Sequence, residues 1–269
     1  MRQILLLLAG ALMTASLFIS CQEDNAVTPD NLVSKYVIDR IYDMGYNIEN
    51  VQKIDEGYLI EGDIILTEND FLEHEGYITL RIAGTEQYRT TNLVTGLPRL
   101  ITVSMDAQLS GTPGYLAALD VAIARYNAEN LQLTFVHSGT SGGNIHLKKQ
   151  AGNFLASAGF PSGGNPYNQI KLNSNAIGQG NSTAFINYCA TIMSHEMGHC
   201  IGFRHTDYMN RAFSCGGAPS NEGSAGVGAI HIPGTPTTAD PNSWMLACIG
   251  NLVNRPFNNN DDTALSYIY

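Results

Sequence analysis

His195-Glu196-Met197-Gly198-His199-Cys200-Ile201-Gly202-Phe203-Arg204-His205 is the stretch around which the rest of the 269-residue chain is organised. On a helix, residues four apart differ by about 40° in direction and about 6 Å in height, so the imidazoles of His195 and His199 can reach one ion. Glu196 stands one step round from His195, close enough to touch a water on that ion without ligating it. A third ligand must come from chain that has left the helix. Gly202 can adopt the left-handed conformation that ends a helix and turns it sharply, and His205 then swings back three residues later. Three neutral imidazoles leave the fourth position for water, the open geometry of a catalytic zinc site, whereas a structural zinc is closed by a fourth protein ligand. The residues therefore point to Zn2+ on His195, His199 and His205, with Glu196 as general base. Zinc lowers the pKa of a bound water to about 7, and the glutamate passes the water's proton to a leaving group.

Working outward, residues 188–201 read as a long helix. Leu100–Leu109 is expected as a strand, and Thr112-Pro113 as the N-cap and first turn of another long helix with Leu116, Leu119, Ile123 and Tyr126 as its buried stripe. Leu131–His137, Asn144–Lys149 and Gln169–Asn173 read as further strands, and Asp261–Tyr269 as a closing helix. The stretch 206–260 is rich in Gly, Pro and Asn and has little periodicity. Before residue 97 the signals are weaker: a short amphipathic helix in Asn31–Met44, a strand-like Tyr58–Leu66 broken by Gly62-Asp63, and a linker at Thr90–Gly96.

The formal net charge is −10, and its distribution is uneven. Residues 22–96 hold five Lys/Arg against fifteen Asp/Glu; residues 97–269 hold eight against nine. That balance argues against a nucleic-acid partner, which wants a basic face, and it suggests two segments with different jobs. Residues 1–20 form an export signal, with Arg2 before an apolar run too short for a membrane span, and no later stretch is long enough to cross a bilayer. Phe18-Ile19-Ser20-Cys21 resembles a bacterial lipobox, which implies a lipid on Cys21, residues 21–30 as a membrane-anchored tether and an outer-envelope location.

Four further cysteines, Cys189, Cys200, Cys215 and Cys248, read as two disulfides in an exported protein. No CxxC pair exists to favour a zinc-thiolate site. Cys189 and Cys200 are eleven residues apart on one helix, roughly 16 Å, beyond bridging distance. That leaves two connectivities, of which Cys200–Cys215 with Cys189–Cys248 is preferred because it would staple the loops to the helix.

The eleven-residue motif matches the metzincin signature H-E-x-x-H-x-x-G-x-x-H. Leu155-Ala156-Ser157-Ala158-Gly159-Phe160-Pro161 is similar to a matrixin stretch, Asn258–Asp262 into Ala264-Leu265 resembles the matrixin C-terminal helix, and Tyr188–Ser194 before the motif is similar to HEIGH-type peptidases of bacterial lipoproteins. The resemblance covers residues 97–269. It implies an α+β catalytic domain with a twisted mixed sheet, two long helices, an irregular lower subdomain and a C-terminal helix. It also implies a turn with a methionine beneath the metal, for which Ser243-Trp244-Met245 is the candidate, and an extended substrate paired with Asn144–Lys149, where His146 and Lys148 are rim residues. Two departures stand out. Ala247 lies where astacins carry a tyrosine, leaving Tyr208 as a candidate transition-state donor, and Thr206 matches none of the subfamily residues after the third histidine.

The activity implied is a zinc endopeptidase acting on protein or peptide substrates. The alternatives are a zinc-retaining adhesin or inhibitor lipoprotein without turnover, against which the intact Glu196 argues, and a zinc hydrolase of another amide such as cell-wall peptide. Oligomeric state stays open. Residues 31–96 are expected as a pro-segment, removed by cleavage within 82–99, with Arg89 as a candidate. They contain no cysteine, but Ile60-Glu61-Gly62-Asp63-Ile64 resembles the F-x-G-D motif of astacin pro-peptides, with Ile60 in place of the aromatic. That implies Asp63 as a zinc ligand displacing the water; an ordinary hairpin turn reads equally well from Gly-Asp.

Overall fold

The computed structural model describes residues 33–44, 46–73, 87–218, 229–236 and 238–269. The expected export signal, Cys21 and the tether lie outside these residues. Among the described residues no helix is long and apolar enough to cross a membrane.

The chain begins with α1 (Lys35–Asp43), opened by Ser34, whose hydroxyl accepts the Val37 N–H. Three short strands follow: β1 (Gln52–Ile54), β2 (Gly57–Ile60) and β3 (Ile64–Leu66). They form an antiparallel meander, and the strand expected across 58–66 is a hairpin whose turn is Glu61-Gly62-Asp63. Glu61 and Gly62 both take positive φ, 55° and 91°, which reverses the chain in three residues. α2 (Glu68–Glu73) ends this part. Ile41, Met44, Tyr46, Tyr58, Ile60 and Ile64 pack together as a small core that includes Phe160 from later in the chain.

After β4 (Tyr88–Arg89) come β5 (Arg99–Met105), α3 (Ala107–Ser110), α4 (Tyr115–Ala128), β6 (Leu133–His137), β7 (Ile145–Lys149), β8 (Ala156–Ala158) and β9 (Gln169–Leu172). Then follow α5 (Ser174–Ile177), α6 (Thr183–Cys200), α7 (Ala212–Cys215), β10 (Ile230–His231) and α8 (Asn259–Ile268). The architecture is α+β. One eight-stranded mixed sheet has the order β1-β2-β3-β8-β9-β7-β5-β6, and β4 pairs with β10 apart from it. The main core lies between that sheet and the two long helices α4 and α6.

Three expectations are corrected. The cap of α4 is Gly114 at φ 90°, not Thr112. A Cβ at 114 would stand 2.0 Å from the Gly180 carbonyl oxygen, so close backbone approach selects glycine there over a capping side chain. The buried face of α4 is Tyr115, Ala118, Leu119, Ala122 and Tyr126, while Leu116 points outward. Finally, β7 cannot receive a substrate strand, because β5 and β9 flank it on both sides. The strand next to the site is β8, antiparallel to β9, and its outer edge carries β3 in parallel through Ile64↔Ala158.

The stretch expected as a linker is built into the sheet-and-helix body. The Thr90 N–H donates to Gly202 O (2.8 Å), the Arg204 N–H to Tyr88 O (2.9 Å) and the Ile232 N–H to Gln87 O (2.9 Å). Arg89 lies inside β4, paired with Ile230.

Among the described residues only Cys215–Cys248 forms a disulfide, with Cα atoms 5.1 Å apart; Cys189 and Cys200 are free thiols buried in α6. The two-disulfide reading, and with it the Cys200–Cys215 and Cys189–Cys248 pairs, is thereby overturned. Helical spacing does keep Cys189 and Cys200 apart, but their side chains face the core and behave as small hydrophobes. Burial pushes the Cys189 thiol up to about 12 and the Cys200 thiol well above its ordinary value. Alkylation of the native, unreduced protein should modify neither thiol. Mass mapping after unfolding should find both alkylated and a Cys215–Cys248 peptide pair; a bridged Cys189 or Cys200 would contradict this packing.

α8 is fixed by a capping box. Asn258 accepts the Asp261 N–H, and Asp261 accepts the Asn258 N–H. The Asp261 carboxylate also accepts from the Trp244 N–H (3.3 Å) and from Gln87 Nε2 (2.5 Å). Burial raises this carboxyl from 3.8 to about 7, against the downward pull of those hydrogen bonds. The folded chain thus holds a proton that the unfolded chain releases, so this group lowers stability as pH rises from about 4 through about 7. Asp261→Asn should flatten the fall of melting temperature across that window; an unchanged slope would contradict the assignment.

Candidate metal centre

α6 starts under Ser182, whose hydroxyl accepts the Phe185 N–H (3.2 Å), and its last turns are buried throughout. His195 and His199 project from one face of it, and their ring centroids lie 4.7 Å apart. The helix stops at Ile201, and Gly202 turns the chain at φ 107°. A side chain at 202 would strike Leu93 Cδ2 at 2.7 Å, so both the turn and the packing of residues 90–93 require glycine. His205 returns with its ring centroid 4.9 Å from His199 and 5.3 Å from His195.

Backbone carbonyls fix two of the rings. His195 Nδ1 lies 2.9 Å from Trp244 O and His199 Nδ1 2.8 Å from Phe203 O. A carbonyl only accepts, so each Nδ1 carries the hydrogen and each Nε2 keeps its lone pair for a metal. Phe160 packs edge-on against His199 at 5.5 Å. Met245 is fully buried beneath α6. A Cβ on Gly198 would meet Met245 Sδ at 2.6 Å, so the glycine between the two histidines lets the methionine turn close on the helix. The Thr206 N–H donates to Met245 O (2.9 Å), tying the turn to the chain just after His205.

The fourth group at this point is Asp63, from the hairpin turn between β2 and β3. Its Oδ2 lies 3.0 Å from His205 Nε2 and 3.6 Å from His195 Nε2. Two ligands of one tetrahedral zinc with bonds near 2.05 Å stand about 3.3 Å apart, and the four ligand atoms of Asp63, His195, His199 and His205 all lie within 4.8 Å of one another. His195 Nε2, His199 Nε2, Asp63 Oδ1 and Glu196 Oε2 are buried without hydrogen-bond partners among the described residues. Buried polar atoms in that state are costly unless something meets them. Three imidazole nitrogens and a carboxylate are a donor set that suits zinc, so the residues fit the ion.

The local field is strongly coupled. Burial alone would raise Asp63, but the imidazoles of His205, His195 and His199 outweigh it and hold the carboxyl well below its ordinary range. Burial, reinforced by the Asp63 charge, pushes Glu196 well above the usual carboxylate value. His199 is pushed well below the ordinary histidine value by burial and by its two neighbouring imidazoles.

A cleft of about 230 Å³ opens beside His195 and Glu196, walled by Leu155, Ile192, Trp244, Leu246 and Ile249. Tyr208 does not line it; its ring packs edge-on against Tyr88 at 4.3 Å, so the candidate donor role finds no support there. His146 bonds Ser104 Oγ (2.8 Å), and Lys148 bonds Glu56 (3.0 Å), away from the metal point. Sequence reasoning missed the pair Glu61–Arg204. The guanidinium Nη2 donates to both carboxylate oxygens at 3.2 Å, and neither side chain is exposed. An arginine inside a buried ligand motif demands a carboxylate, and that signal was available at Arg204. The carbonyls of Trp244 and Phe203 that orient the imidazoles belong to the backbone and leave no trace in residue type.

The sequence matches the family of dual-action HEIGH metallo-peptidases over residues 58–269. In this chain the name-giving pentad reads His195-Glu196-Met197-Gly198-His199, with buried Met197 in place of the isoleucine. Among solved structures the chain is similar to myroilysin. One crystal structure aligns at 12% identity over 89% of this chain and 97% of that chain, with a TM-score of 0.41. A second aligns at 16% identity over 44% and 54%, with a TM-score of 0.32. It is also similar to high choriolytic enzyme 1, a hatching enzyme zinc-protease from the medaka fish Oryzias latipes, at 19% identity over 39% and 44%, with a TM-score of 0.25. In the latter two alignments the chain spans only about half the length of those proteins. No curated protein matches the sequence. The family match takes in the hairpin that carries Asp63 as well as all three histidines, and the chain belongs to the dual-action HEIGH metallo-peptidases.

Proposed function

We propose that the chain is an exported, envelope-anchored endopeptidase made in a latched form. Residues 1–20 direct export, Cys21 carries a lipid, residues 21–30 act as tether, and the segment from 31 to just before Gln87 keeps Asp63 on the zinc until it is released. Moving the boundary from 96 to 86 follows from the packing of 87–96 into the body, which also argues against cleavage after Arg89. The observation that carries the reading is the Asp63 carboxylate at 3.0 Å and 3.6 Å from two ligand nitrogens, where the nucleophilic water of an open site would stand.

Zinc held by His195, His199 and His205 would supply Lewis acidity, acidifying a water and polarising the scissile carbonyl. Glu196, beside His195 on the cleft wall, takes the water's proton through Oε2 and hands it to the departing amine. His195 and His199 are held by carbonyls in the tautomer this chemistry needs. The substrate lies extended along β8, whose Ala158 N–H now donates to Asp63 O (2.8 Å). The segment therefore occupies the metal and the substrate strand together.

Four full-length proteins test this: parent, Asp63→Ala, Glu196→Ala and the double variant, each assayed for zinc and for cleavage of denatured protein before any processing. Asp63→Ala should cleave at least about tenfold faster than the parent, since it frees the water position. Adding Glu196→Ala should lower that rate at least about a hundredfold with zinc retained. Zinc without glutamate-dependent cleavage would favour a binding lipoprotein instead, and equal rates in parent and Asp63→Ala would remove the latch.

A further inference from the structure

Two arginines, Arg211 and Arg255, line the cleft beside His195 and Glu196. Arg255 is fixed to the helix of the metal ligands: its N–H donates to Thr191 Oγ1 (3.0 Å), and Thr191 stands four residues before His195 on α6. Residues four apart on a helix share a face and lie about 6 Å apart along the axis. The preceding residue is clamped as well, since Arg125 donates through Nη1 to Thr191 Oγ1 (3.1 Å) and through Nη2 to Asn254 Oδ1 (2.6 Å). The backbone that presents the Arg255 side chain is therefore held about one helical turn from the first histidine.

The guanidinium of Arg255 is sparsely bonded. Its Nη1 donates to Cys248 O (2.8 Å), and among the described residues it makes no other hydrogen bond and no ion pair. A guanidinium offers five N–H donors in a planar fork. Burial pulls the Arg255 pKa below its ordinary value, and the charge of Asp207 offsets part of that. The Asp207 oxygens, however, are taken up by the N–H groups of Ala247 (2.9 Å) and Ser214 (3.2 Å) and by the Ser214 hydroxyl. The cation has thus given up water without gaining a carboxylate of its own. The wall that carries Cys248 O is tied down, because Cys248 is bridged to Cys215 and its N–H donates to Ser214 Oγ (3.0 Å). Of the acids that line the same cleft, Glu61 is engaged on Arg204 and Asp63 on the imidazoles.

We propose that Arg255 determines specificity: its guanidinium binds the carboxylate of a Glu or Asp side chain close to the scissile bond of the substrate. This rests on the peptidase reading but not on release of any segment, since Arg255 already lines the cleft of the intact chain. An incoming carboxylate meets a cation with donors to spare, and charge-assisted bonds of this kind are roughly twice as strong as neutral ones. Arg211 adds positive charge to the same cleft. Glu and Gln have nearly the same shape, so the apolar walls at Leu155, Ile192 and Ile249 treat their stems alike and the choice between them is electrostatic. An extended substrate rises about 3.3 Å per residue. A side chain that reaches a group held one helical turn from His195 therefore belongs to a residue within about two of the cleaved bond.

The test offers the full-length parent and Asp63→Ala proteins pairs of peptides in which one position at a time carries Glu or Gln. Glu should be favoured in kcat/KM by about tenfold at one position within two residues of the cleaved bond, and the ratio should shrink at high salt. Adding Arg255→Gln should bring the ratio to about one, and Arg255→Lys should keep part of it. An arginine that only supports the wall would lower both rates alike and leave the ratio standing. The same pairs are titrated onto the zinc-loaded Asp63→Ala/Glu196→Ala protein, so that affinity is read without turnover. If Arg255→Gln does not fold, the comparison with Arg255 in place still decides. Equal kcat/KM and equal affinity for Glu and Gln at every position, or no binding of either peptide, would overturn the assignment. A Glu-over-Gln affinity difference that Arg255→Gln removes, without any cleavage, would support it and refute the peptidase reading.

Discussion

Three imidazoles can hold one ion only if each offers the correct nitrogen at the correct point, and most of the body of this protein serves that requirement. Two rings leave α6 on one face, and their outer nitrogens are pinned by the carbonyls of Trp244 and Phe203. Phe203 O is placed by the turn at Gly202. Trp244 O is placed by the methionine turn, which can press against the helix because residue 198 has no side chain. That turn is held in its own place by Asp261 of the last helix, through the Trp244 N–H. A chain of backbone contacts therefore runs from the C-terminal helix to a ring nitrogen, and the main core between sheet and helices keeps α6 from shifting beneath it.

The N-terminal part is organised differently. Its own small core is modest, and charge does much of the work of fixing it to the body. Asp63 faces the imidazoles, Glu61 faces Arg204, and Glu56 faces Lys148 and Lys171. Buried pairs of this kind are poor sources of net stability but severe when one partner is lost. A segment held in that way stays in register with the body. Its β3 strand also pairs with β8, whose Ala156 lines the cleft beside His195 and Glu196.

Much of the centre was legible in the residues themselves. The i, i+4 histidines, the glutamate between them and the glycine before the third histidine carry their geometry in their spacing, because helix pitch is fixed. Met245 and Asp63 were reached through resemblance rather than spacing, and the chain brings both to the site. What stayed hidden depended on partners distant in sequence. The neighbours of β7 are set by strand order, which no local pattern records, and with β5 and β9 on its two sides it has no edge to offer a substrate. Cysteine count suggested two bridges, but whether a thiol faces a partner or the core is a question of helix rotation. Residues 90–96 lack apolar periodicity because their backbone bonds go to distant parts of the chain, at Gly202, Gly164 and Tyr269, and so they read as a linker.

The central claim is that one ion is held by three imidazoles and, before release, by Asp63. The most direct measurement is the coordination sphere of the zinc-loaded full chain, by crystallography or X-ray absorption, before and after nicking upstream of Gln87. Three imidazole nitrogens and one carboxylate oxygen at about 2.0–2.2 Å are expected first, with the carboxylate replaced by water once the segment is gone. A water already at the fourth position of the intact chain, with Asp63 out of bonding range, would contradict the account.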